Sequence, residues 1–219
     1  MNTNPDAIKI LCYGDSNTWG QKPDKSGRYA PDVRWPGKLQ QLLGDNYYIV
    51  EEGLSSRTTD LEYAKKPGRN GKTYLQPCLE SHNPVDVVIL MLGTNDLKIA
   101  YNRSAEDIAS AIIGLVDTIR QFGKDKSGNA PKIVLVSPIL VNDEAQWFSN
   151  FYSEDYNHDA VEKSKKLAEL IQNEAVKNNC YFVDAATVAS PGDDGLHFSP
   201  ESHPALAEVI AQEIKKIGQ

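Results

Sequence analysis

Residues 86–92, Asp86-Val87-Val88-Ile89-Leu90-Met91-Leu92, form an apolar run in which hydrophobic and polar residues do not alternate. A strand of this kind is typical of a parallel sheet covered by helices, because neither face of the strand meets water. Together with this run at Val85–Leu92, four further apolar runs predict five strands; they are Ile8–Tyr13, Tyr47–Glu51, Lys132–Ser137 and Cys180–Asp184.

Segments in which apolar residues recur at helical spacing lie between most of these runs. The predicted helices are Trp35–Leu43, Ser104–Phe122, Asp159–Asn178 and a last helix that starts at the capping pair Ser199-Pro200. Strands that alternate with helices predict an α/β fold, a three-layer α/β/α sandwich around a five-stranded parallel sheet. Right-handed crossovers restrict the topology, and we expect the flavodoxin-like order 2-1-3-4-5. No linker or internal repeat divides the chain, so we expect residues 1–219 to form a single domain.

Composition and charge exclude several classes of function. A formal net charge of −7 argues against nucleic acid and anionic membranes as partners. The odd number of cysteines gives no disulfide framework, and no metal-ligand spacing is visible among cysteine and histidine, so we expect neither a metal nor a cofactor. Neither a signal peptide nor a membrane-spanning run is recognisable, which favours a cytoplasmic protein.

Small, polar and ionisable residues follow the predicted strands at their carboxyl ends, where parallel sheets of this kind place ligands. They occur in Gly14-Asp15-Ser16-Asn17, Gly53-Leu54-Ser55-Ser56-Arg57 and Gly93-Thr94-Asn95-Asp96, and in Asp193-Asp194-Gly195-Leu196-His197 directly before the last helix. We therefore expect these four segments to meet in one site.

The residue types in these segments suit acyl transfer. That reaction needs a nucleophile, a base, a group that orients the base, and donors for an oxyanion. Ser16 is the candidate nucleophile and His197 the candidate base; Asp194 is preferred to Asp193 as the orienting carboxylate because of its spacing from the histidine. The candidate oxyanion donors are the N–H groups of Ser16 and Gly53 and the amide of Asn95. The alternative for each is structural: a helix cap at Ser16, a turn at Gly53 and a loop hydrogen bond at Asn95.

Ser16, Gly53, Asn95 and His197 occur in the order that gives the GDSL/SGNH hydrolase family its name, and the sequence resembles that family. The blocks Gly14–Ser16, Gly93–Asp96 and Asp194–His197 carry the resemblance, with Asn17 where leucine is frequent. Longer segments are similar to the arylesterase/acyltransferase branch; they are Gly14–Gly20, Tyr29–Trp35, Glu51–Thr59 and Met91–Asp96. The resemblance implies a serine esterase with a Ser16-His197-Asp194 triad that cleaves small short-chain acyl or aryl esters.

The resemblance also implies transfer of the acyl group to water or to an alcohol, and a homo-oligomer in which long loops narrow the entrance. Those loops would be Gln21–Arg34 and Arg57–Tyr74; a third irregular stretch, Pro138–Tyr152, is rich in aromatic residues. Candidate substrate-binding residues are Asn17, Trp19, Thr94, Leu196 and Phe198, with core packing as the alternative for Trp19. The alternative functions are a carbohydrate acetylesterase, a thioesterase or lysophospholipase of the same family, and a non-catalytic flavodoxin-like binding module.

Overall fold

The computed structural model describes residues 2–217 and contains one sheet of five parallel strands in the order β2-β1-β3-β4-β5. The strands are β1 (Ile8–Gly14), β2 (Tyr47–Gly53), β3 (Val87–Met91), β4 (Lys132–Ser137) and β5 (Tyr181–Asp184). This confirms the predicted sheet and its order. Gly14 at the end of β1 pairs with Gly53 of β2 and with Met91 of β3, so three strands end at the same level.

Seven α-helices occur in the described part of the chain. They are α1 (Ser16–Trp19), α2 (Trp35–Leu43), α3 (Gly71–His82), α4 (Ala105–Phe122), α5 (Phe148–Tyr152), α6 (His158–Lys177) and α7 (Ser202–Ile217). Helix α3 was not predicted, because Pro77 interrupts its apolar pattern. The last helix also begins later than predicted, because residues 199–202 form a turn in which Ser202 N–H donates to the Ser199 carbonyl at 3.1 Å.

Two apolar layers cover the sheet. On one face, α3, α4 and α6 pack around Val88 and Leu90 of β3; on the other, α2 and α7 pack around Val87, Ile89 and Met91. All five residues of β3 are buried, which explains why its sequence lacks polar alternation. None of the helices within residues 2–217 is both long and apolar enough to cross a bilayer.

Candidate active site

Ser16 is the first residue of α1 and directly follows the turn at the end of β1. The Asp15 carboxylate caps this helix by accepting the Asn17 N–H at 2.9 Å. A side chain at Gly14 would place its Cβ 2.0 Å from Thr18 Oγ1 and 2.8 Å from the Met91 carbonyl oxygen, so only glycine fits there. As the first helical residue, Ser16 has a backbone N–H without an intrahelical acceptor. The turn therefore presents both the hydroxyl and the N–H of Ser16.

The side chains of the predicted triad lie in one chain of hydrogen bonds. His197 Nε2 is 2.9 Å from Ser16 Oγ, and His197 Nδ1 is 2.5 Å from Asp194 Oδ2. The other carboxylate oxygen of Asp194 accepts the N–H groups of Leu196 at 3.0 Å and His197 at 2.9 Å. With Nδ1–H donated to Asp194, the lone pair of Nε2 is left to accept the Ser16 hydroxyl proton. The geometry is that of a nucleophile, a base and an orienting carboxylate.

Asp194 is fully buried beside the imidazole. Burial alone would raise the pKa of its carboxyl, but the hydrogen bond and charge of His197 and the two backbone N–H groups hold that pKa below its usual value. The carboxylate therefore keeps its charge inside the protein and orients the imidazole.

Tyr152 is a third partner of this pair that the sequence analysis did not single out. Its hydroxyl donates to Asp194 Oδ2 at 3.0 Å and lies 3.3 Å from His197 Nδ1. Burial, followed by the charge of Asp194, raises the pKa of Tyr152 well above its usual value, so the phenol remains a donor. The available signal was the aromatic content of the stretch Pro138–Tyr152, which forms α5 and its approach.

Asn95 lies in a 3-10 turn, Thr94–Leu97, that follows β3. Its Nδ2 donates to the Arg57 carbonyl at 3.1 Å, and its Oδ1 accepts from Lys98 Nζ at 3.1 Å. These contacts fix the amide and leave one of its two N–H bonds for a ligand. Asp96, also in this turn, accepts from the N–H and hydroxyl of Thr59, which ties the Arg57–Tyr74 loop to the site.

The position of Gly53 differs from the expectation that its N–H is an oxyanion donor, because Gly53 does not lie on the cavity wall. It packs against the backbone of α1, where an added Cβ would stand 2.1 Å from Trp19 N. Ser56, three residues along the same segment, does line the cavity and has a left-handed backbone with φ 69°. Within residues 2–217, no group accepts the Ser56 N–H. Ser56 thus lies on the cavity wall, where the sequence pointed to Gly53.

Ser16 and His197 open onto a cavity of about 450 Å³. Trp19, Thr94 and Leu196, three of the predicted substrate-binding residues, lie on its wall. The long loops also reach it: Gln21–Arg34 through Lys25 and Gly27, and Arg57–Tyr74 through Tyr63 and Lys66. Its volume suits a small molecule.

Asn17 and Phe198 are two further corrections, because neither contributes to the cavity wall. The Asn17 amide donates to the Leu196 carbonyl at 3.1 Å, and its oxygen accepts the Phe198 N–H at 2.9 Å. Phe198 is fully buried in the core with α7, and its ring contacts His203 at a centroid distance of 5.2 Å. Both residues hold the His197 segment from behind, and their sequence neighbours made them look like pocket residues.

Glu52, Cys78 and His82 form a group of possible metal ligands that the sequence analysis overlooked. Their ligand atoms lie within 4.8 Å of one another, and Cys78 and His82 are one turn apart on α3. However, His82 Nε2 and Glu52 Oε1 are already hydrogen bonded at 2.9 Å. Burial raises the pKa of Cys78 to about 12, which keeps the thiol protonated. This hydrogen bond and a buried thiol account for the group.

Comparison with known proteins gives a consistent result. The model of the GDSL-like Lipase/Acylhydrolase family matches residues 12–205. The solved structure of an M. smegmatis aryl esterase is 38% identical, covers 96% of this chain and 99% of that one, and superposes with a TM-score of 0.86. A carbohydrate acetylesterase from Sinorhizobium meliloti is 37% identical over 95% and 99% of the two chains, also with a TM-score of 0.86.

Among curated proteins, an acetylxylan esterase of Xylanibacter ruminicola is 26% identical over 96% of this chain. The chain spans only 44% of the length of that relative. The relatives therefore agree on the fold and on ester chemistry, and their names differ in the alcohol part of the ester.

Proposed function

The chain belongs to the GDSL-like lipase/acylhydrolase family, and from this premise we propose that it is a serine esterase that cleaves small carboxylic esters. The observation that carries the proposal is the continuous chain of hydrogen bonds from Ser16 through His197 to Asp194, which opens onto a cavity of small-molecule size. A non-catalytic binding module would have no use for a serine hydroxyl aligned on an imidazole in this way.

The first half of the proposed reaction forms an acyl-enzyme. His197 Nε2 takes the hydroxyl proton as Ser16 Oγ attacks the ester carbonyl, and the resulting imidazolium is stabilised by the Asp194 carboxylate. The imidazolium then protonates the alcohol oxygen as the bond between that oxygen and the acyl carbon breaks. Water or an alcohol releases the acyl group by the same route in reverse.

The oxyanion of each tetrahedral intermediate needs donors that are already in place. We assign the N–H of Ser16, the N–H of Ser56 and the remaining Nδ2–H of Asn95 to this role. The assignment is supported by their position on the cavity wall and, for Asn95, by the two hydrogen bonds that fix its amide.

The cavity favours a short acyl chain on an aryl or sugar alcohol. Its volume of about 450 Å³ suits a small ligand, and its wall carries the aromatic side chains Trp19, Tyr63, Phe151, Tyr152 and Tyr156. Thr94 Oγ1 is buried there without a hydrogen-bond partner in the described residues, which leaves it available to a polar substrate group. This mixture of rings and free polar groups also suits acetylated sugars, so carbohydrate acetylesterase activity is the second candidate.

A chain-length series of p-nitrophenyl esters, run with and without an added alcohol, tests the proposal. We expect acetate and butyrate to be cleaved fastest, and the alcohol to increase product release if acyl transfer occurs. Ser16→Ala should lose about 10⁶-fold in turnover, because a triad acts as a unit. The variant Ser110→Ala, which changes an exposed serine on α4, is the matched control and should keep full activity. Residual activity in Ser16→Ala equal to that of the control, or a preference for long acyl chains, would contradict the proposal.

We also propose a homo-oligomer, in keeping with the expectation that the long loops narrow the entrance. Large apolar side chains are exposed at Leu42, Ile99, Leu140 and Val176, and the last of these is 76% exposed. Light scattering coupled to size-exclusion chromatography measures the assembly directly, and a single species at the 24.2 kDa mass of one chain would refute this part.

A further inference from the structure

Three lysines lie on the wall of the catalytic cavity: Lys25, Lys66 and Lys98. The chain as a whole has a net charge of −7, so this concentration of positive charge runs against its overall composition. Charges that line a concave site raise the local concentration of ligands of the opposite sign. What surrounds each ammonium group determines whether its charge is available to a ligand.

Lys98 is the innermost of the three and is only 6% exposed. Its ammonium donates to Asn95 Oδ1 at 3.1 Å and lies 4.1 Å from the centre of the Tyr63 ring. Burial lowers its pKa to about 8; the nearby charge of Lys66 lowers it further, while Asp155 opposes the shift. An amide oxygen and a phenol ring hold this cation without neutralising it.

Lys25 and Lys66 are exposed residues at the rim, one from each of the two long loops. The Lys25 ammonium lies 3.9 Å from the centre of the Phe151 ring and 4.6 Å from that of Tyr152. The Lys66 ammonium is 3.4 Å from Ser56 Oγ. Aromatic rings and a hydroxyl position these side chains but carry no counter-charge.

The carboxylates of the site, in contrast, are fewer and have partners of their own. Asp155 lies on the wall and forms an ion pair with Lys65 at 3.0 Å. Asp194 is hydrogen bonded to His197. Asp155 and Asp194 also lie near Lys25, and Asp155 lies near Lys98. The three wall lysines and Lys65 nevertheless outnumber these two carboxylates, which leaves an excess of positive charge facing the cavity.

We propose that the cavity selects esters whose alcohol part carries an anionic group, such as a carboxylate, and that Lys25 and Lys66 bind this group within the positive field of Lys98. The inference rests on the proposed esterase function and names its substrate class. The alcohol part is indicated because Lys25 packs on Tyr152, which contacts His197, and His197 delivers the proton to the leaving alcohol.

A matched pair of acetate esters tests the inference: 3-acetoxybenzoate, which is anionic, and 3-acetoxybenzamide, which is neutral and of similar size. Both reactions consume water and release acetate and a phenol. The quantity to measure is the ratio of kcat/KM for the anionic ester to that for the neutral one, compared between enzymes so that the difference in leaving group cancels. Each rim lysine replaced by glutamine should lower this ratio by about threefold, and Lys25→Gln/Lys66→Gln by about tenfold.

Salt and a charge-matched variant supply the controls. Raising the ionic strength from about 0.02 M to about 0.5 M should lower the ratio for the natural enzyme and leave that of the double variant nearly unchanged. Lys215→Gln removes the same charge from the exposed end of α7 and should not alter the ratio. Circular dichroism and urea unfolding establish that each variant is folded.

The outcomes separate the two proposals. An unchanged ratio in the folded double variant, or an equal fall in Lys215→Gln, overturns the selection of anionic esters while hydrolysis itself stands. Failure of the natural enzyme to hydrolyse either ester, or full activity in Ser16→Ala, overturns the esterase function instead. A fall confined to the rim variants and abolished by salt supports the inference.

Discussion

Replacing Lys98 with methionine should make the protein more stable. Lys98 is 6% exposed, and burial lowers its pKa from 10.5 to about 8. A depressed pKa means that the folded state disfavours the charged form relative to the unfolded chain. Methionine has a similar length, fits irregular apolar spaces and carries no charge to bury. The lysine therefore lowers stability in exchange for a positive charge in the site.

The size of the effect follows from the pKa shift. At ~1.4 kcal/mol per pKa unit, the shift corresponds to about 3 kcal/mol of instability at pH 7. Loss of the hydrogen bond to Asn95 offsets about 1 kcal/mol, which leaves Lys98→Met about 2 kcal/mol more stable. For a chain of this size that gain corresponds to an increase in Tm of about 4–8 °C.

The sign of the pH dependence is fixed by which state binds the proton. Below pH 8, Lys98 is protonated in both the folded and unfolded states, and the advantage of the variant is constant. Between about pH 8 and 10.5 the unfolded chain holds a proton that the folded protein has lost, so the natural protein gains stability as the pH rises. The difference in stability between the two proteins should therefore close across this window.

Urea unfolding followed by tryptophan fluorescence at pH 7 and at pH 10 measures both effects. Lys215→Met, at an exposed position on α7, is the control and should change the free energy of unfolding by less than about 0.5 kcal/mol. A destabilised Lys98→Met, or a stability gap of equal size at the two pH values, would refute the reasoning. We also expect lower kcat/KM in this variant, because the ammonium holds Asn95 Oδ1.

Two further substitutions separate chemistry from scaffold. Asn95→Ala should lower kcat by about 10²–10³ through loss of one oxyanion donor, and an unchanged kcat in steady-state assays would remove Asn95 from that role. Phe198→Ala should lower the free energy of unfolding by about 3–5 kcal/mol, because it empties a fully buried site in the core. Since Phe198 lies off the cavity wall, a selective rise in KM without loss of stability would restore its predicted pocket role.

The sheet could be predicted because burial leaves a direct mark on sequence. A central parallel strand must be apolar on both faces, and β3 shows this without interruption. The segments that form the site could also be predicted, because the ends of adjacent parallel strands meet at one edge of the sheet. The pairing of Gly14 with Gly53 and with Met91 shows this. Spacing along the chain was sufficient to expect Asp194 beside His197.

The predictions of cavity residues that differ from the structure have a common physical cause. A sequence shows which residues are neighbours along the chain, but a cavity wall is chosen by which way each side chain or N–H points. Gly53, Asn17 and Phe198 are close to site residues along the chain but do not line the cavity, while Ser56 lies on the wall with a left-handed backbone. Tyr152 meets the imidazole only because α5 folds over it, and no strand-end rule anticipates that contact.

The difference between strand ends and loops also affects how the substrate can be inferred. The M. smegmatis aryl esterase and the S. meliloti carbohydrate acetylesterase match this chain with the same TM-score, 0.86, and with identities of 38% and 37%. Overall similarity therefore cannot decide between their substrates. In the proposed mechanism the strand ends carry the groups that break an ester bond, and we propose that the alcohol meets side chains from the two long loops. Lys25 and Lys66 belong to those loops, so the charge they bring to the rim is evidence about the substrate that the shared fold does not contain.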